Sequence, residues 1–151
     1  MKKIFFLFLI AILLTVSCKS TQKTSTKNSK NQQYELTKDT KWILSSFNGK
    51  STKEAGFTER IPFIILDKQE SRIMGHSGCN SFNGNAEIGD STLKTGMLMS
   101  TKAFCMGVPE HELFTYLEKV NSYKIDSDKL LLMKGDDVLL EFILSRKSSK
   151  Q

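Results

Sequence analysis

The sequence lacks the composition of a fibrous, disordered or disulfide-dense protein. Two prolines and nine glycines in 151 residues are too few for a collagen-like or low-complexity chain. Three cysteines are too few for a small scaffold that several disulfides hold together. Hydrophobic residues make up 39% of the chain and charged residues 25%, which suits one packed domain and excludes a polytopic membrane protein.

Basic residues are scarce in the body of the chain, although the whole sequence has a net charge of +6. Nine of the 22 Lys and Arg residues precede Tyr34 or follow Ser145. This leaves 13 against all 16 acidic residues, a net charge of −3 between those positions. A nucleic-acid surface needs clustered Lys and Arg on the domain itself. We therefore expect no nucleic-acid partner.

One hydrophobic run, residues 4–16, follows two lysines at the start of the sequence. As a helix these 13 residues would be about 20 Å long, whereas a bilayer core requires roughly 30 Å. A basic start and an apolar run of this length are typical of a signal peptide rather than of a permanent membrane span.

The end of this run resembles a bacterial lipobox. Ser17 supplies the small residue and Cys18 the cysteine that is acylated on sulfur, whereas Thr15 departs from the aliphatic residue usual at its position. We expect residues 1–17 to be a lipoprotein signal peptide that is removed, leaving a lipid anchor on Cys18. Several acyl chains on one residue give stable anchoring, which a single chain does not. An ordinary secretory signal with a free Cys18 is the alternative.

Residues 19–33 contain no apolar side chain, so they cannot offset the entropy of ordering by burial. We expect residues 18–33 to be the lipidated cysteine and a disordered tether that spans about 20 Å on average. Lys19 follows the cysteine where a retention aspartate would stand, and enteric-type sorting then implies the outer membrane. The expected location is the cell envelope, at the outer membrane, facing the periplasm or the cell surface.

Residues 34–145 are expected to form the folded domain, followed by a basic tail at 146–151. The alternation of apolar residues and the positions of turn residues predict a series of short strands. Their predicted ranges are 40–47, 61–67, 71–76, 81–88, 92–96, 97–101, 122–126, 129–134 and 137–145. Connections this short join antiparallel strands, and Gly84 marks a candidate bulge.

A single helix is predicted over residues 109–121. Pro109 suits the first helical position, and Leu113, Leu117 and Val120 form part of one apolar stripe. The predicted fold class is α+β: a mainly antiparallel, curled, barrel-like sheet with one helix packed on it.

Two short motifs resemble those of the META domain, also called the HslJ-like domain. Residues 78–84 read Gly-Cys-Asn-Ser-Phe-Asn-Gly, and residues 101–105 read Thr-Lys-Ala-Phe-Cys, although Phe104 stands where the family often has another residue type. The resemblance extends over roughly 36–144. It implies a small α+β fold and a bacterial envelope lipoprotein, some of whose relatives are associated with heat shock, antibiotic tolerance or virulence. It carries over motif positions and no catalytic residue: Gly78, Cys79, Asn80, Phe82, Gly84 and Cys105.

Cys79 and Cys105 remain once Cys18 is assigned to the anchor. In an exported protein such a pair is first interpreted as a disulfide, with two buried free thiols as the alternative. His76 and His111 would complete a zinc set, but the thiols would have to stay reduced and the spacing is unlike that of known zinc fingers. We expect no metal and no cofactor.

Residues 75–84 contain no phosphate-binding glycine motif, and no nucleophile elbow is recognisable in the sequence. We therefore expect a non-enzymatic, lipid-anchored envelope protein that binds or stabilises envelope components under stress. Its expected partners are the membrane, through Cys18, and another envelope protein. An inhibitor of a lysozyme or a protease is the main alternative, with residues 77–83 as an exposed wedge, and an apolar exposed loop would favour it. A zinc-binding enzyme is the third possibility.

Overall fold

Alternating buried and exposed side chains run along most of the folded part. The computed structural model describes residues 34–146, in which nine strands and one helix occur. The elements are β1 (Lys41–Phe47), β2 (Lys50–Ser51), β3 (Phe63–Asp67), β4 (Arg72–His76), β5 (Ser81–Ile88), β6 (Leu93–Ser100), α1 (Glu110–Lys119), β7 (Ser122–Asp126), β8 (Lys129–Lys134) and β9 (Asp137–Leu144). The predicted signal peptide, Cys18 and the tether lie outside the described residues.

The strands form one antiparallel sheet in the order β6-β5-β4-β3-β1-β9-β8-β7, and the short β2 pairs with β1. β6 and β7 are its two edges, and they approach each other at one end. There Thr92 and Ser122 form a single bridge, and the Tyr123 N–H donates to the Ser91 carbonyl at 2.8 Å. The sheet is thus curled without being closed, which confirms the predicted α+β class.

The inner face of the curled sheet and one side of α1 enclose the core. Leu113 and Leu117 of the helix are fully buried, as the apolar stripe predicts. The largest fully buried side chains contributed by the strands are Trp42, Ile64, Leu66, Ile73, Leu93, Leu130, Leu132, Leu140 and Phe142. α1 has ten residues, and within residues 34–146 no helix is long and apolar enough to cross a membrane.

The two strands predicted at 92–96 and 97–101 are one strand, β6. Gly84 pairs with Leu98 and Ala86 with Thr95, so one residue of β5 faces two residues of β6. The extra residue is a bulge, through which the chain continues instead of turning. Gly84 is needed opposite this bulge, since a Cβ at that position would lie 2.6 Å from the Met97 carbonyl oxygen.

Candidate functional site

Four large hydrophobic side chains are exposed on β6 and on the connection that follows it. Phe104 and Met106 are each 88% exposed, Met97 is 86% exposed and Met99 is 62% exposed. We call residues 101–107 the apolar loop, and these four side chains the apolar surface. Large apolar side chains that lie exposed within one short stretch of a folded domain are candidates for a binding surface.

A disulfide fixes the apolar loop at its centre. Cys105 lies between the two exposed side chains Phe104 and Met106, and it is bonded to Cys79 in the turn between β4 and β5. The structure therefore contains the disulfide that was the first interpretation of this pair, and not two free thiols. The bond holds Cys105 to the β4–β5 turn, while the side chains on both sides of it are exposed.

Asn80 fixes the first half of the same loop. Its side-chain oxygen accepts hydrogen bonds from the Thr101 hydroxyl at 2.7 Å and from the Ala103 N–H at 2.8 Å. Its side-chain nitrogen donates to the Ala103 carbonyl at 3.0 Å and to Oε2 of Glu110 at 2.9 Å. Asn80 is 2% exposed, and two donors and two acceptor sites are the full capacity of a carboxamide. The amide is thus saturated by groups that belong to the loop and the helix.

Glu110, the first residue of α1, connects the helix to the β4–β5 turn. Its Oε1 accepts a hydrogen bond from the Ser77 hydroxyl, whose oxygen in turn accepts the Asn80 N–H at 2.8 Å. A carboxylate at a helix N-terminus is also favoured by the helix dipole. Ser77 is fully buried, so this contact positions the backbone and does not present a nucleophile to solvent.

The segment 77–83, expected to be an exposed wedge, is largely buried, and that expectation is wrong. Gly78 has a φ of +98°, and a Cβ there would lie 3.0 Å from Phe57. Phe82 is 3% exposed and contacts Phe114 of α1 edge to face at 5.3 Å. The motif residues therefore support the apolar loop from beneath, and the loop itself forms the exposed surface. Sequence reasoning noted Phe104 only as a departure from the family pattern and missed the exposure of Met97, Met99 and Met106.

The zinc set considered from the sequence is not assembled. Cys79 and Cys105 are joined to each other and offer no thiolate, and His111 is exposed on α1. Within residues 34–146, no group of three or more His, Cys, Asp or Glu side chains could hold a metal ion. Burial lowers the pKa of His76, and the neighbouring Arg60 guanidinium lowers it further.

Solved structures share this fold at low sequence identity. A protein from Burkholderia xenovorans, solved by NMR, is 22% identical with a TM-score of 0.55, over 74% of this chain and 85% of its own. Another NMR structure is 20% identical with the same TM-score, over 71% of this chain and 90% of its own. The crystal structure of a DUF4847 family protein from Bacteroides vulgatus is 18% identical with a TM-score of 0.50, over 68% and 90%.

None of the curated proteins matches this chain. The META domain family model, in contrast, matches residues 34–147, a range that contains all nine strands, the helix and both motifs on which the resemblance rested. The chain belongs to the META domain family.

Proposed function

We propose that this META domain protein is a non-catalytic, lipid-anchored component of the cell envelope that binds another envelope protein through the apolar surface. In this proposal Cys18 carries the anchor at the outer membrane, and binding stabilises the partner under stress. The apolar surface carries the proposal, because three side chains at least 86% exposed have no role in the core of the domain.

The rigidity of the apolar loop supports a role in recognition. The Asn80 hydrogen bonds and the Cys79–Cys105 disulfide order the loop before a partner binds. Association therefore does not carry the entropy cost of ordering the loop. Phe104 has the properties of an anchoring aromatic, and methionine side chains adapt to irregular partner surfaces.

The side chains of the apolar surface indicate the kind of partner. They are one phenylalanine and three methionines, and the charges on neighbouring elements are of both signs, since Lys94 of β6 pairs with Glu87 of β5 and Glu110 binds Asn80 beneath the loop. A partner with an apolar depression is therefore complementary to this face.

Crosslinking in intact cells tests the proposal. A photoreactive amino acid replaces the exposed Lys102, and the same probe at Lys134, an exposed residue of β8, serves as the position control. We expect one protein to be captured from Lys102 and not from Lys134. Capture should be lost in a Phe104→Ser/Met106→Ser variant.

A Val138→Ser/Ile143→Ser variant provides the matched control, because it also replaces two exposed hydrophobic residues, each 42% exposed. Capture from Lys102 should persist in it. Capture that survives Phe104→Ser/Met106→Ser, or that is lost equally in both variants, would contradict binding through the apolar surface.

Inhibition of a lysozyme or a protease is the second candidate, and the exposed apolar loop favours it. A rigid loop with Phe104 and Met106 projecting on either side of a disulfide has a shape that could enter an enzyme cleft. Titration of the protein against lysozyme and a panel of proteases tests this role. Micromolar inhibition that depends on Phe104 would support it, and no inhibition at that concentration would exclude it.

A further inference from the structure

His76 lies at the end of β4, and the residue is only 8% exposed. Nδ1 accepts a hydrogen bond from the Gly78 N–H at 3.0 Å, and Nε2 lies 2.9 Å from Nη1 of Arg60. Both neighbours are donors. A neutral imidazole has one acceptor nitrogen and one N–H, so it can accept from only one of them.

Neither tautomer removes this conflict. With Nδ1 accepting from Gly78, the Nε2–H faces the Arg60 guanidinium. In the other tautomer Nε2 accepts from Arg60, and Nδ1–H faces the Gly78 N–H. Protonation places a donor on both nitrogens. In every protonation state at least one N–H of His76 therefore faces a donor and lacks an acceptor among the described residues, which is uncommon for a residue as buried as His76.

Positive charge surrounds the same imidazole. The Phe63 ring stacks on His76 with a centroid separation of 6.3 Å, and the Lys41 ammonium lies 3.7 Å from the centre of the Phe63 ring. Within residues 34–146, neither Lys41 nor Arg60 forms an ion pair with a carboxylate. Glu110 is the nearby acidic group, but its two oxygens accept hydrogen bonds from Ser77 and Asn80.

We propose that Arg60, His76 and Lys41 form a binding site for one oxyanion, a carboxylate or a phosphate group. An anion placed between the Arg60 guanidinium and the Nε2–H of His76 would accept from both, provided that Arg60 rotates off the ring. Lys41 adds positive charge from its position against the Phe63 ring. The site contains no residue of the apolar surface, so the result of its test does not depend on whether the proposed function is correct.

Titration of the full chain in non-ionic detergent with inorganic phosphate and with acetate tests the site, at an ionic strength matched with chloride. The imidazole ¹⁵N signals of His76 should shift saturably, and its pKa should rise when the anion is bound. Arg60→Gln should weaken phosphate binding about tenfold, as expected for a lost charge-assisted hydrogen bond. Arg72→Gln is the control: it removes an exposed arginine that lies on β4, outside the proposed site, and it should leave the affinity for phosphate unchanged.

Nanodiscs separate the two sources of the anion. The full chain is placed in discs of phosphatidylcholine alone or with phosphatidylglycerol. A shift of His76 that requires phosphatidylglycerol and Arg60 would identify a lipid headgroup as the ligand, whereas a shift with soluble anions only would identify a free anion. Both outcomes support the site. No saturable change at His76 in any of these conditions, or equal weakening by Arg60→Gln and Arg72→Gln, would overturn it.

Discussion

The Asn80 carboxamide makes four hydrogen bonds while it is 2% exposed, and it is the residue whose loss has the clearest expected cost. Asn80→Ala would leave the Ala103 N–H and the Glu110 carboxylate without these partners. We expect the free energy of unfolding to fall by about 2–3 kcal/mol, since buried polar groups that lose their partners carry a desolvation penalty. Urea unfolding followed by tryptophan fluorescence measures this.

The matched control is Asn85→Ala. Asn85 is an exposed residue of β5, the strand that begins directly after Asn80, and its side chain makes no hydrogen bond in the described part of the chain. It should change stability by less than about 0.5 kcal/mol. Equal losses of unfolding free energy in the two variants would contradict the inference that Asn80 stabilises the domain by fixing the apolar loop.

We expect His76 to make the stability of the domain depend on pH. Burial and the Arg60 guanidinium hold the pKa of His76 below its ordinary value of 6.5, and the Glu110 carboxylate only partly opposes them. The unfolded chain therefore takes up a proton at a higher pH than the folded one does. Stability should be greatest above about pH 6.5 and should decrease as the pH falls toward the lowered pKa of the folded state.

Urea unfolding in phosphate-free buffer at about pH 7.5 and about pH 5.5 tests this dependence. The loss of stability between the two conditions should be smaller in His76→Gln than in the wild type. His111→Gln, which replaces the exposed histidine of α1, should behave like the wild type. An unchanged loss in His76→Gln would show that other groups cause the dependence.

At the scale of elements, the disulfide joins the apolar loop to the β4–β5 turn across a sequence separation of 26 residues. Replacing both cysteines by serine should lower the free energy of unfolding by about 3.5 kcal/mol on the loop-entropy estimate. Hydrogen exchange should increase mainly at residues 104–107, because Asn80 still holds Thr101 and Ala103. Guanidinium unfolding and amide exchange provide the two measurements.

Reductant supplies the control for that experiment. It should destabilise the wild type by a similar amount and leave the Cys79→Ser/Cys105→Ser variant unchanged. A loss below about 1 kcal/mol in the double variant would mean that the disulfide contributes little to the fold.

The elements themselves were largely predictable from local signals. β5, β7 and β8 have the predicted bounds because turn residues close their ends. The turn predicted after β1 is also present, since Asn48 and Gly49 adopt the left-handed conformations expected of a hairpin turn. The sequence predicts two strands in place of β6, because a bulge beside Gly96 has the same local sequence features as a turn. Local patterns do not reveal whether a strand continues through such an irregularity.

The candidate site was not predictable to the same degree, for two physical reasons. The Gly, Asn and Ser residues of segment 77–83 suggest a surface loop, yet the partners that allow their burial are Ala103 and Glu110, more than twenty residues along the chain. Phe104 and Met106 are residue types common in a core, and the local sequence does not reveal that both are exposed on either side of a disulfide-bonded cysteine. Non-local contacts decide both cases.

At the scale of the whole molecule, the proposed function requires that the domain be held at a membrane. In that proposal the anchor is on Cys18, and residues 19–33, if they act as a flexible tether, would keep the domain within about 20 Å of the bilayer on average. A partner in the same membrane would then be at a high effective concentration, so even a modest apolar surface could sustain binding.

Metabolic labelling with a fatty acid tests this anchor directly. The label should enter the wild-type protein and be absent from Cys18→Ala, because the proposed anchor attaches its acyl chains through that residue. Cys79→Ser/Cys105→Ser serves as the control, since it keeps Cys18 and should incorporate label like the wild type. Mass spectrometry of the native protein should also find residues 1–17 removed. Equal labelling of wild type and Cys18→Ala, or a native chain that retains those residues, would contradict lipid anchoring and require another explanation for how the apolar surface meets its partner.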